Sequence, residues 1–332
     1  MTSARLATLT ARFPTTRILV IGDIMLDEFI WGTVSRISPE APVPVVEVAR
    51  EECFPGGAAN VARNLAEFTS GASVFGVIGQ DPHADRLKTL LREEGVGLEA
   101  LVQDAAYHTI VKTRIIARQQ HVVRIDRERR LALTPEHTAR ALERIEALLP
   151  QLDALILEDY GKGLLGQEFA AQLCILAKRA GKILAVDPSP HNPLRWEHAT
   201  VLKPNRAEAF ASAGRLPSEP VDPPTQDAAL LEVGRTLGER WHFDQLLITL
   251  GEQGMILFQK DAVPFHAPTR AQKVFDVSGA GDTVIALYTL ALCAGATPPE
   301  AAEIANHASG VVVGKLGTAT CTRAELLASF EG

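Results

Sequence analysis

The chain has 332 residues, 46% of them hydrophobic, and its 33 Lys and Arg against 40 Asp and Glu give a formal net charge of -7. That length and apolar fraction suit one large α/β domain or two smaller ones, and exclude a disordered, collagenous or coiled-coil chain. The acidic balance excludes a general electrostatic hold on nucleic acid or anionic lipid, so an anionic ligand needs a local site.

In chain order, Thr16–Gly22 (TRILVIG) is a short buried strand that enters a loop at Gly22-Asp23. Trp31 to Val48 is apolar but studded with prolines, which removes it from any central strand and predicts an edge or a separate sheet. Gly56-Gly57-Ala58-Ala59-Asn60 opens a helical pattern. Strands are then expected at Ala72–Ile78, Ala154–Leu157, Ile183–Val186, Thr200–Leu202 and Gln245–Leu250, with helices at His83–Glu94, Pro135–Leu149, Gly166–Ala180 and Asp227–Arg240. A hairpin (Met255–Gln259, Ala262–His266) precedes two strongly helical segments, Gly279–Cys293 and Pro299–Val313. This alternation predicts a doubly wound, mostly parallel sheet in a single domain over residues 1–332, with ligands at the carboxyl ends of the strands. Two β-rich excursions, about 24–50 and 106–127, read as one small lid. The four cysteines (Cys53, Cys174, Cys293, Cys321) are far apart, which suggests neither a disulfide framework nor a zinc ribbon. With no apolar signal core and no run long enough to span a bilayer, a cytoplasmic protein without membrane or nucleic-acid partners is expected.

The first strand ends without G-x-G-x-x-G, and G-x-x-x-x-G-K-[ST] occurs nowhere, which excludes the usual dinucleotide turn and the P-loop enzymes. The most informative run is Asp276-Val277-Ser278-Gly279-Ala280-Gly281-Asp282, followed by an apolar helical pattern. Glycines at a helix start leave N–H groups outward with the helix dipole behind them, an anion site. An aspartate there would repel a phosphate it merely bound, but makes sense as a base for a hydroxyl attacking a phosphoryl group. Gly56-Gly57-x-x-Asn60 supplies a second glycine pair and an amide for sugar hydroxyls. Thr249-x-Gly251-x-x-Gly254 lets backbone approach a nucleotide. Asn205-x-x-Glu208 puts an amide and a carboxylate on one face of a first helical turn, where they can hold hydrated Mg²⁺. Any one of these is most often structural. Four in this order are a stronger signal.

That ordered set resembles the PfkB (ribokinase-like) carbohydrate kinases over essentially the whole chain. The resemblance implies a ribokinase-like fold, ATP and Mg²⁺ as cofactors, and a monovalent cation as an option. It casts Asp282 as general base, and Gly279, Ala280 and Gly281 as the anion hole. Asn205 and Glu208 become the Mg²⁺-associated pair, acting through water and ATP phosphates. Thr249, Gly251 and Gly254 become the ATP turn, with Asn306 near the adenine. Finer runs (GDIMLDEFIWG, SRISPEAPVPV, FPGGAANVARNL, RIIARQQHVVRID, EDYGKG) look like the heptose 7-phosphate kinases of lipopolysaccharide synthesis. The chain ends at Gly332 without a nucleotidyltransferase domain, so the stand-alone form is expected. Two departures stand out: Val277 replaces a common threonine, and Asp187-Pro188 lacks a following lysine.

Substrate contacts are expected from Asp23, Gly56, Gly57, Asn60 and Asp159, with Asp23 implied by the resemblance to bind sugar hydroxyls. Lys112, Arg114, Arg118, Gln119, Gln120 and Arg124 crowd one lid segment. In an alternating strand Lys112, Arg114, Arg118, Gln120 and Arg124 could converge on a distal phosphate, with Arg36 a comparable candidate. Lys162 is expected to touch ATP or phosphate. The expected reaction transfers the γ-phosphoryl of ATP to the anomeric hydroxyl of a heptose 7-phosphate. Another sugar or nucleoside kinase and an idle sugar-binding regulator are the rivals. The valines between Pro42 and Val48 make an apolar β surface, for which a lid-to-lid homodimer is expected.

Overall fold

A computed structural model describes every residue except 119, 131, 132, 272 and 332. Its strands are β1 (Arg17–Gly22), β2 (Ile24–Ile37), β3 (Pro44–Gly57), β4 (Gly71–Phe75), β5 (Val77–Ile78), β6 (Val102–Gln103), β7 (Ile110–Ala117), β8 (Gln120–Arg127), β9 (Ala154–Glu158), β10 (Ile183–Asp187), β11 (Val201–Leu202), β12 (Gln245–Thr249), β13 (Met255–Gln259) and β14 (Phe265–Ala267). Its helices are α1 (Ser3–Thr10), α2 (Ala58–Ala66), α3 (Pro82–Glu93), α4 (Pro135–Leu148), α5 (Gln167–Arg179), α6 (Arg206–Ala213), α7 (Ala228–Trp241), α8 (Ala280–Cys293), α9 (Pro298–Val312) and α10 (Arg323–Ala328). Eight strands form the main sheet in the order β14-β13-β12-β11-β10-β9-β1-β4. From β4 to β12 the neighbours run parallel, and the last hairpin is antiparallel.

Successive residues of β1 go to opposite cores. Ile18 and Val20 pack with α2, α8 and α9, whereas Leu19 and Ile21 pack with α4, α5 and α7. A strand covered on both faces needs no polar alternation, which is why β1, β9 and β10 read as unbroken apolar runs. Each fully buried Ile, Leu or Val there contributes roughly 1.5–3 kcal/mol, so a charge at Val20 would break the centre of the sheet. The expected strand Ala72–Ile78 divides at Gly76, because β5 leaves the main sheet to pair with β6. The short α10 went unanticipated; Thr322 and Glu325 close a capping box at its start.

The lid is a second sheet in the order β3-β2-β7-β8. Its proline-bearing strand β3 lies at an edge, as the prolines require, and runs on to Gly57, past the expected limit at residue 50. None of the described helices is long and apolar enough to cross a membrane. From β1 the chain goes to β4 on one side and later returns to β9 on the other. That reversal opens a crevice at the carboxyl ends of β1 and β9, and β2 rises from it into the lid.

Candidate active site

Gly279 caps α8 with φ +79°, a conformation that favours glycine, and a Cβ there would lie 3.0 Å from the Asn60 amide nitrogen. The Ala280 N–H turns back to the Val277 carbonyl at 3.2 Å. Of the three N–H groups expected to form the anion hole, those of Gly279 and Gly281 have no backbone partner among the described residues. Asp282, in the first turn of α8, is 7% exposed. Its Oδ2 accepts from Asn60 Nδ2 at 2.7 Å, and its Oδ1 accepts from the Tyr160 hydroxyl at 2.9 Å. Burial raises the Asp282 pKa, opposed by those two donors and by the nearby Lys203 ammonium.

Beneath the helix start lies a group of buried charges. Lys203 Nζ pairs with Asp187 at 2.7 Å and would sit 3.1 Å from a Cβ on Gly281. Oxygens of Glu158, Asp187 and Asp282 approach within 4.8 Å of one another. Burial works against the Lys203 charge, yet Asp187 and Glu158 outweigh it and raise its pKa. Glu158 is the odd member: both its oxygens are buried without a hydrogen-bond partner. Burial first, then Asp187 and Asp282, push its pKa well above the usual glutamate range. Lys203 is thus held toward its charged form, while Glu158 is driven toward its protonated form.

Asn205 and Glu208 form a capping box. Asn205 Oδ1 accepts the Glu208 N–H at 2.9 Å, and Glu208 Oε2 accepts the Asn205 N–H at 2.8 Å. The remaining Asn205 group is a donor, unsuited to a cation, which leaves Glu208 Oε1. One carboxylate oxygen beside phosphates fits Mg²⁺, which keeps most of its water. Thr249 ends β12 beside Asn205, and Gly251 and Gly254 bracket the single helical turn that follows. Asn306 Nδ2 donates to the Pro268 carbonyl at 2.6 Å, holding the loop after β14.

Asp23 clamps the loop after β9: its carboxylate accepts the N–H groups of Tyr160 (3.2 Å), Lys162 (2.9 Å) and Leu164 (3.2 Å), three of its roughly four lone-pair positions. Asp159 does likewise, accepting from Gly161 at 2.9 Å and from Asn192 at 3.0 Å; burial raises it to about 6. Gly56 and Gly57 end β3 against Asp27 and Asp23; a Cβ on Gly56 would overlap the Asp27 carboxylate.

The lid separates its basic residues. Lys112 pairs in register with Asp27 and Asp126, and Arg114 with Phe29 and Arg124, so these three cations share one face. A register shift at the bulged Val122 pairs Gln120 with Ala117, which turns Gln120 to the other face. The expectation that it converges with Lys112 is therefore corrected. Arg118 forms the turn at φ +58°, and Arg36 is exposed toward the far end of β2; neither joins the others. Gln119 lies outside the described residues. Arg114 is paired with Asp27, Arg124 with Asp126 and Lys162 with Glu128. Lys112 has no ion pair among the described residues, and burial, then Lys162, lowers its pKa.

Sequence reading missed Glu158, Tyr160 and Lys203 as members of the site. A usable signal existed: the apolar runs of β9, β10 and β11 each end on or beside a charged residue.

The model of the family described as "pfkB family carbohydrate kinase" matches residues 15–325. The "Bifunctional protein HldE" of Desulfatibacillum aliphaticivorans is 42% identical over 96% of this chain, and that of Chromohalobacter salexigens 43% over 95%. The chain spans 64% of the length of each. Among solved structures, an Arabidopsis thaliana ribokinase complexed with ribose and ATP superposes with a TM-score of 0.72 at 18% identity, covering 96% of this chain and 99% of that one. Phosphofructokinase-2 from Escherichia coli in complex with substrates and products gives 0.75 at 20%, covering 95% and 99%. At those identities they bear on the fold, which is ribokinase-like.

Proposed function

Since this chain belongs to the pfkB family of carbohydrate kinases, we propose that it transfers the γ-phosphoryl group of ATP to the anomeric hydroxyl of a heptose 7-phosphate. The observation that carries the reading is the Asp282 carboxylate at the start of α8, beside outward N–H groups and below a lid whose inner face presents Lys112. Asp282 takes the proton of the attacking hydroxyl, and the N–H groups of Gly279 and Gly281 meet the charge on the transferring group. When bound near Glu208, Mg²⁺ neutralises phosphate charge. Lys203, beside Gly281, adds fixed positive charge below. Closure of the lid excludes water and limits ATP hydrolysis.

The heptose assignment is supported by the runs quoted above and by the relatives named HldE. The distal phosphate is assigned to Lys112, which shares its face with Arg114 and Arg124 and, unlike them, has no ion pair among the described residues. A lid-to-lid homodimer belongs to the same reading. Ile37, Val43 and Val48 are 60, 51 and 55% exposed around the edge strand β3, an apolar strip that a second copy would cover. ADP release with ATP and MgCl₂ across phosphorylated and unphosphorylated sugars tests the assignment. Heptose 7-phosphate is expected to give the highest kcat/KM. Equal efficiency with unphosphorylated heptose would remove the 7-phosphate assignment, and no release with any sugar would remove the kinase reading of this site.

A further inference from the structure

Tyr160 stands in the loop after β9, and that loop is held from several directions. Asp23 accepts its N–H groups at Tyr160, Lys162 and Leu164. Asp159, bound to Asn192 from the far side, accepts the Gly161 N–H. A backbone held at this many points leaves its side chain little freedom. The outcome is a phenol hydroxyl 2.9 Å from Asp282 Oδ1. The other donor, Asn60, is 1% exposed and holds Oδ2, whereas Tyr160, which holds Oδ1, is 36% exposed. An acceptor hydroxyl entering the crevice therefore meets Asp282 beside the phenol.

We propose that Tyr160 is a positioning residue for the Asp282 base, its hydroxyl holding Oδ1 ionised and aimed so that a free lone pair faces the incoming sugar hydroxyl. This rests on Asp282 being the base. A hydrogen bond from a neutral donor favours the carboxylate over the carboxylic acid. Its loss therefore raises the pH needed to keep the base unprotonated. The charged groups facing Asp282 are Glu158 on β9, Asp187 on β10, Lys203 after β11 and Asp27 on β2. All of them remain when Tyr160 loses only its hydroxyl. Burial and the neighbouring carboxylates raise the phenol well above its ordinary range, so it stays a donor throughout an assay.

The experiment compares kcat/KM against pH for the wild type, Tyr160→Phe and Asp282→Asn, with thermal midpoints as a check on folding. The acid limb of Tyr160→Phe is expected about one to two pH units higher, the size of one lost hydrogen bond to a charged acceptor. Activity on the alkaline plateau should change far less. Site-specific 3-fluorotyrosine at position 160, a stronger donor, should move the limb the opposite way, and it retains the ring if Tyr160→Phe unfolds. An unshifted limb in both variants, with Asp282→Asn inactive, would overturn the role of Tyr160 and leave the base in place. A rise in sugar KM without a shift would make the phenol a sugar contact instead, which also overturns it. Turnover in Asp282→Asn near wild type would instead remove the base reading itself, and this proposal with it.

Discussion

Glu158 offers the sharpest stability test, because its carboxyl group is buried at the end of β9 with neither oxygen hydrogen-bonded. Burial, then Asp187 and Asp282, raise its folded-state pKa well above the unfolded value. Between those two values the folded chain binds one more proton than the unfolded chain. The contribution is therefore complete below the unfolded pKa of about 4.3 and is lost as pH rises toward the folded pKa, at ~1.4 kcal/mol per pH unit. Glutamine has nearly the shape of the protonated acid and takes up no proton. The stability of Glu158→Gln minus that of wild type should thus climb by ~1.4 kcal/mol for each pH unit above about pH 5, within that window. The amide brings two donors, for which the neighbouring carboxylates of Asp187 and Asp282 supply acceptors. Urea unfolding followed by circular dichroism at constant ionic strength reads the difference. The slope is decisive, because a packing change shifts every pH alike. A difference flat with pH would mean that Glu158 is ionised in the fold and that Lys203 serves it as counter-ion.

Lys203→Met leaves the half-buried Asp187 without its partner and should cost up to about 3 kcal/mol near neutral pH; adding Glu158→Gln should recover part of that loss in the same urea titration. Heptose 7-phosphate should exceed unphosphorylated heptose by ~10²-fold or more in kcat/KM, as two charge-assisted contacts would give. Lys112→Ala should shrink that ratio, mainly by harming the phosphorylated substrate, and an unchanged ratio would move the phosphate to another cation. Val43→Lys combined with Val48→Lys places charge on the apolar strip of β3, so sedimentation should show the dimer giving way to monomer. A wild-type monomer at micromolar concentration with full activity would refute the dimer.

What could be read from the sequence was what is decided locally. β1 and β9 are apolar throughout because both faces are covered, and an acid beside glycines at a helix start is visible within seven residues. The same locality misleads at Asn205-x-x-Glu208. That spacing suits a hydrated cation and a capping box equally well, and the nearest donors, their own backbone N–H groups, take two of the three side-chain oxygens the cation reading needed. At Gln120, one extra residue at Val122 changes the face of a strand without changing its composition, so alternation carried past the bulge gave the wrong side.

Asp23 shows what no local pattern reaches. Its partners are the N–H groups of a loop more than 130 residues later, and only the adjacency of β1 and β9 in the sheet brings the two together. Family resemblance points to a sugar contact there, yet a carboxylate that already accepts three backbone hydrogen bonds has little left for a ligand. Removing it would leave those N–H groups without acceptors and release the loop that carries Tyr160. If the phenol positions the base as proposed, Asp23 acts on the chemistry at one remove, and Asp23→Asn should lower turnover before it weakens sugar affinity, read as kcat and KM separately.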